Sequence, residues 1–242
     1  MNFSMYGLGN SRIGFMFDWT YLLLLAGVVI CLIASARVNS AFRKYSRIAN
    51  ARGLTGRDVA EIILRNAGLN YVRIERVSGR LSDHYDPGTQ VLRLSPEVYD
   101  VASVAAMGVA AHECGHAIQH AKGYAPLALR SAAVPVARFG SMLYWPIILI
   151  GWITGIMGLA DLGVLFFCFV IIFQIITLPV EFNASRRALQ IIGDGQIAAN
   201  EYEYKGVKSV LSAAAMTYVA ALLSSILQLI RLIAITGGRR RD

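Results

Sequence analysis

Two histidines one helical turn apart, with a glutamate between them, are the residues in this chain best equipped for chemistry. They lie in Ala111-His112-Glu113-Cys114-Gly115-His116-Ala117. On a helix, positions four apart share a face, so His112 and His116 can each turn a ring nitrogen towards one ion. Glu113 follows His112 by about 100° of helix rotation, within reach of a water beside that ion. The His-Glu-x-x-His pattern is that of zinc hydrolases. Neutral imidazoles hold Zn²⁺ at about 2.0–2.1 Å, and a carboxylate takes the proton of an activated water. Two coincidental histidines on a helix would match so short a pattern, so context has to decide. Cys114 projects about 200° from His112 and is expected to pack rather than react.

A catalytic zinc site usually takes three protein ligands and keeps one position open. His120 shares the motif face, but it stands about 12 Å along the helix from His112, too far for both to reach one ion with His116. It is expected at the helix end or beside a ligand. His84 could line the cleft. The longer metzincin pattern fails, because its glycine and third-histidine positions hold Gln119 and Lys122. A carboxylate remains. Asp161 would suit an intramembrane protease of the site-2 type, with the motif buried in a span. Glu181 fits the chain order better and would give a His-His-Glu set. A carboxylate at 181 could instead be an interfacial group paired with Arg186 or Arg187.

The elements that must position these residues are set by hydropathy. The 242 residues are 56% hydrophobic and only 16% charged, with a mean hydropathy of +0.52, which places the chain among integral membrane proteins. The net charge of +8 is clustered. Arg37, Arg43, Lys44, Arg47, Arg52 and Arg57 follow the first apolar run, and Arg239-Arg240-Arg241 close the chain. Such flanks face anionic membrane lipid and argue against a nucleic-acid partner. Residues 1–18 read as an N-terminal extracytoplasmic segment and 19–36 as a first transmembrane helix. The basic cluster behind that helix marks it as a retained anchor and places residues 37 onward in the cytoplasm.

Residues 37–141 read as the cytoplasmic portion. Thr55 is placed to cap a short helix, and Tyr71–Val77 alternates at period two as a strand. Ser82–Ser95 reads as a hairpin turning at Asp86-Pro87-Gly88-Thr89. Ser95-Pro96-Glu97 and the Ala-rich run Val101–Ala121 form the motif helix. The strand Gln90–Ser95, just ahead of it, is expected to offer its edge to an extended peptide. Met142–Ala160 and Leu162–Val180 form a transmembrane hairpin, 142–180, broken at Asp161. Crossing twice returns the chain to the side it left, so Glu181 lies on the side of His112. Residues 181–209 supply the third-ligand helix and a loop. Residues 210–242 form a C-terminal apolar helix, which spans or lies along the interface, and a basic tail.

Taken together, these segments resemble the YugP-type neutral zinc metallopeptidases, bacterial membrane proteases whose motif order is that of HtpX-like proteases. The resemblance is carried by Arg52-Gly53-Leu54-Thr55-Gly56, Leu81-Ser82-Asp83-His84-Tyr85-Asp86-Pro87, Ala111–Ala121, Tyr124-Ala125-Pro126-Leu127, Leu129-Arg130-Ser131, Leu178–Ala188 and Thr217-Tyr218-Val219-Ala220. It implies a mainly α membrane protein with an α+β, zincin-like cytoplasmic protease domain, in which a small antiparallel hairpin or sheet precedes the motif helix. It implies zinc-dependent hydrolysis of peptide bonds, one Zn²⁺ per chain, and a peptide or membrane-protein substrate. By analogy, His112, His116 and Glu181 are the ligands and Glu113 the catalytic acid/base. The HtpX-like pattern has an aspartate four residues after its glutamate ligand. Ser185 stands there in this chain, so Asn183 or Ser185 is expected to support the ligands, with Arg186 nearby. Tyr218 or His84 is expected to serve the oxyanion. A multi-pass cell-membrane protein with a cytoplasmic active site follows, with no oligomeric state set. Two other readings stay open: a non-catalytic metal-binding membrane scaffold, against which Glu113 argues, and the intramembrane protease using Asp161.

Overall fold

The computed structural model describes residues 19–194 and 197–238. Among them the order is α1 (Thr20–Tyr45), α2 (Gly56–Asn66), β1 (Arg73–Arg76), β2 (His84–Asp86), β3 (Val91–Leu94), α3 (Pro96–Tyr99), α4 (Val104–Ala121), α5 (Ala125–Thr154), α6 (Met157–Asp194) and α7 (Glu201–Gly238). The segment 1–18 and the Arg239-Arg240-Arg241 tail lie outside the described residues.

Four of these helices, α1, α5, α6 and α7, are long and apolar enough to cross a membrane. Large apolar side chains such as Leu22, Ile153, Ile172 and Ile233 point outward from them, as they do where lipid is the solvent. Helix α5 packs on α6, α6 on α7, and α7 on α1. Ile148, Phe167, Ile171 and Leu232 form a small apolar core among α5, α6 and α7. The run 210–235 thus belongs to one continuous helix of spanning length.

The α5–α6 hairpin turns at Gly155-Ile156, not at Asp161, which lies inside α6. Gly155 takes the left-handed conformation, φ 75°, which ends a helix at little cost in glycine. A single aspartate does not break a helix, so the backbone turn prevails over the dip in hydropathy. Both helices also outrun their apolar stretches, since hydropathy reports bilayer thickness rather than helix length.

The remaining elements form a compact unit over the ends of α6 and α7. Helix α2 begins with a capping box: the Thr55 hydroxyl accepts from Asp58 N (3.2 Å), and the Asp58 carboxylate accepts from Thr55 N (2.9 Å). Its apolar face, including Val59 and Ile63, packs with Leu92 and Leu94 of β3, Met107 and Ala111 of α4, Ile192 of α6 and Val207 of α7. The stretch 95–121 is two helices rather than one. The break before α4 is held by Ser103, whose hydroxyl accepts from Ala106 N at 3.1 Å, and whose backbone pairs with Ala49.

The sheet has the order β1-β3-β2, with β1 parallel and β2 antiparallel to β3. The hairpin turn is held by Asp86, which accepts from Gly88 N at 2.9 Å. The parallel partner β1 makes the sheet mixed, not a simple hairpin. It also overturns the expected peptide edge: β3 is paired on both sides, and β2 is the outer strand that meets α4.

Candidate metal centre

Helix α4 carries His112 and His116 on one face, and α6 brings Glu181 to them. The Glu181 Oε2 atom lies 3.2 Å from His112 Nε2 and 3.6 Å from His116 Nε2. One ligand atom from each of the three residues falls within a mutual 4.8 Å, and Glu181 is 2% exposed. The approach of the helices is set by Gly115. A Cβ there would sit 2.7 Å from the backbone oxygen of Ala184, so only glycine lets α6 come this close.

The histidines are oriented from behind. Gln119, fully buried, donates from Nε2 to the Val180 carbonyl (2.9 Å) and to Asn183 Oδ1 (3.0 Å). A carbonyl can only accept, so the Gln119 amide nitrogen is assigned and its Oε1 must face His116 Nδ1, at 3.0 Å. The His116 proton therefore sits on Nδ1, and Nε2 is turned towards the cluster. The Ser185 hydroxyl stands 3.1 Å from His112 Nδ1 in the same manner. Burial works against a charged His116, but the Glu181 hydrogen bond and the Glu113 charge outweigh it and raise its pKa above the ordinary imidazole value.

Glu113 faces the same space. Its Oε2 accepts from the Tyr85 backbone N–H at 3.0 Å, which ties the outer strand β2 to α4. The tie is doubled by the Tyr85 hydroxyl, 2.9 Å from His120 Nδ1. Beside it, Asp83 accepts from Ser95 N (2.7 Å) and the Ser95 hydroxyl (3.0 Å). Burial nonetheless holds the Asp83 carboxyl above the usual carboxylate range, with a smaller upward push from Glu113.

Two cavities, of about 240 and 150 Å³, meet at Asp83, His112, Glu113, Glu181 and Tyr218. His84 lines the larger one, with its ring nitrogens 2.8 Å from the Ser82 carbonyl and 3.4 Å from Arg93, so it is a wall and not a ligand. A wider cavity of about 670 Å³ lies between Ile63, Ile118 and Gln190 and touches none of the three clustered residues.

Some expected partners are elsewhere. Arg186 is exposed on α6. Arg187 binds Asn183 Oδ1 at 2.8 Å. The cation on Glu181 is Arg130 of α5, 3.2 Å from Oε1. Asp161 shares α6 with Glu181 but lies about 30 Å along it, so it cannot meet the histidines. Cys114 is buried against the Ala60 carbonyl at 3.8 Å and packs as expected. The sequence reading missed Gln119, Arg130, Asp83 and the Tyr85 backbone. Arg130 and Asp83 stand inside segments that carried the family resemblance, which was the available signal.

A helical membrane protein with two imidazoles and a carboxylate gathered on facing helices, and a second carboxylate alongside, has the donor set of a metal-dependent hydrolase. The chain belongs to the family described as "Putative neutral zinc metallopeptidase", whose model matches residues 20–237. It is 46% identical over 214 residues to the "Putative membrane protease YugP" of Bacillus subtilis (strain 168), covering 88% of this chain and 94% of that one. No solved structure matches it. The family implies Zn²⁺, and His112, His116 and Glu181 can hold it.

Proposed function

We propose that this chain is a membrane-bound zinc metalloendopeptidase, with His112, His116 and Glu181 holding one Zn²⁺ and Glu113 acting as general base and acid. The observation that carries the reading is the convergence of one donor atom from each of His112, His116 and Glu181 within 4.8 Å, with Glu113 on the same helix as the histidines and opening to the same cavities. The donor set fits the ion. Both imidazoles have their Nδ1 sides engaged by Gln119 and Ser185, which directs the other nitrogen of each inward. When bound, Zn²⁺ polarises a scissile carbonyl and makes water acidic enough to attack at neutral pH.

The chain's own residues do the rest. Glu113, steadied by the Tyr85 N–H, takes the proton of the attacking water and passes it to the leaving amine. Arg130 positions Glu181, Gln119 positions His116, and Ser185 positions His112. Asn183 acts through Gln119. Tyr218 faces both cavities beside Glu181 and is the proposed donor to the developing oxyanion. The unit from α2 to α4, with its sheet, is the zincin-like part. It lies on the cytoplasmic side of a multi-pass protein in the cell membrane, because the basic cluster Arg37–Arg57 sits at that end of α1. The substrate is a peptide or a membrane protein presented there.

The test is Glu113→Gln in the purified, full-length protein. Zinc stoichiometry is expected to stay at one per chain while peptide hydrolysis falls by about 10²–10⁴-fold. A variant as active as the wild type would overturn the assignment.

A further inference from the structure

We infer that the 150 Å³ cavity on the α1/α7 side of the cluster is a specificity pocket for one apolar side chain next to the scissile bond. The inference rests on the peptidase reading above and names the substrate feature that this site selects. The two cavities flank the same residues but differ in character. The larger is edged by His84, Arg130 and Ser131 together with the apolar Leu127 and Val134. The smaller is walled by Val38 and Phe42 of α1, Val109 of α4, and Leu211, Ala214 and Ala215 of α7. A peptide laid across Glu113 and Glu181 would therefore place one flank in a mixed polar and apolar setting and the other mostly against hydrocarbon.

Size and charge narrow the occupant. An apolar cavity of about 150 Å³ holds a benzene-sized group, which suits leucine, isoleucine, methionine or phenylalanine. The charged residues at its edge are Asp83, Glu113 and Glu181. A carboxylate side chain entering there would lose its hydration against the apolar walls and lie beside the carboxylates of Asp83 and Glu113, and no lysine or arginine is among the residues lining the space. The space exists because α7 presents two alanines in succession, where larger side chains would fill it. At the mouth stands Leu81, 44% exposed, with φ at 53°. A bulky residue held in the left-handed region is strained, and such strain gathers at ligand-binding positions. Leu81 thus sets an apolar rim at the entrance of an apolar pocket.

The test uses zinc-loaded, full-length protein and peptide hydroxamates that differ only in the side chain beside the zinc-binding group: Gly, Ala, Leu, Phe or Asp. Binding is read by calorimetry, so no turnover is needed. Leu and Phe compounds are expected to bind at least about 10-fold more tightly than Ala, and Asp more weakly than Ala. Ala214→Leu fills the cavity from α7 and Val38→Phe fills it from α1. Each is expected to bring the Leu-to-Ala affinity ratio close to one while zinc stoichiometry is retained. A wild type with no size preference overturns the pocket, as does a preference that survives both variants. Failure of the peptidase reading looks different: the protein would not take up zinc, or would bind none of the hydroxamates, and the pocket would then fall with it.

Discussion

Arg130 and Glu181 form an ion pair, Nη1 to Oε1 at 3.2 Å, that divides the two oxygens of one carboxylate between different tasks. Oε1 is held by a cation from α5, and Oε2 is turned to the two imidazoles. The pair joins helices that are adjacent in the membrane hairpin, so the hairpin itself orients the proposed third ligand. Arg130→Ala is expected to lower zinc affinity by about 10–100-fold, and Arg130→Lys by less, because lysine keeps the charge without the planar fork. Competition with a coloured chelator measures both. Equal affinity in Arg130→Ala would remove this residue from the metal site.

Gln119 links His116 of α4 to Val180 and Asn183 of α6. Gln119→Ala leaves the buried His116 Nδ1–H without its acceptor and the Val180 carbonyl with its helical partner alone, which costs about 1–3 kcal/mol. The zinc-free protein should unfold at a lower temperature. Zinc affinity should fall as well, because His116 loses the acceptor that fixes its ring. A variant that unfolds earlier but binds zinc as tightly would limit Gln119 to a packing role.

Gly115→Ala tests the helix approach. The added methyl would meet the Ala184 backbone oxygen at 2.7 Å, and neither helix can yield there without a backbone shift. Overpacking of this kind costs about 1–3 kcal/mol, and the shift would carry Glu181 away from the histidines. Loss of both stability and zinc is expected. Unchanged zinc binding would show that α6 can retreat without moving its carboxylate.

Asp83 gives a pH signature. Burial raises its pKa in the folded chain above the ordinary 3.8, so the folded state holds this proton more tightly than the unfolded one. Stability linked to Asp83 is therefore greatest below that ordinary value, and it is lost as pH rises from there to the raised folded value. Thermal unfolding of the zinc-free protein across this acidic window should show the decline. Asp83→Asn, which keeps an oxygen for Ser95 N, should flatten it. An identical slope in the variant would assign the effect to other carboxylates.

The parts of the centre that could be read in advance were those governed by local periodicity or chain order. The i, i+4 spacing put His112 and His116 on one face, and counting membrane crossings returned Glu181 to them. Thr55 was legible as a cap because capping chemistry spans only one turn. Gln119 and Arg130 were not given roles, since the α6 partners that fix the Gln119 amide and the Glu181 partner of Arg130 lie about 60 and 50 residues away and depend on how α4, α5 and α6 pack. The pairing of β1 with β3 was hidden for the same reason, as parallel partners are not adjacent in the chain. Asp161 misled because charge marks a boundary in hydropathy but not in the backbone, where Gly155 makes the turn.

Helix α6 runs without interruption from the hairpin turn to Asp194, and it carries both the apolar span and Glu181. The protein therefore cannot be divided into a soluble part that bears the candidate site and a detachable anchor. A fragment trimmed to residues 37–141 would keep the histidines, Glu113 and Arg130, but would lack Glu181, Asn183, Ser185 and Tyr218. Purification must preserve the hairpin if it is to preserve the site, and the amphiphile chosen for extraction is in effect a component of the candidate metal centre.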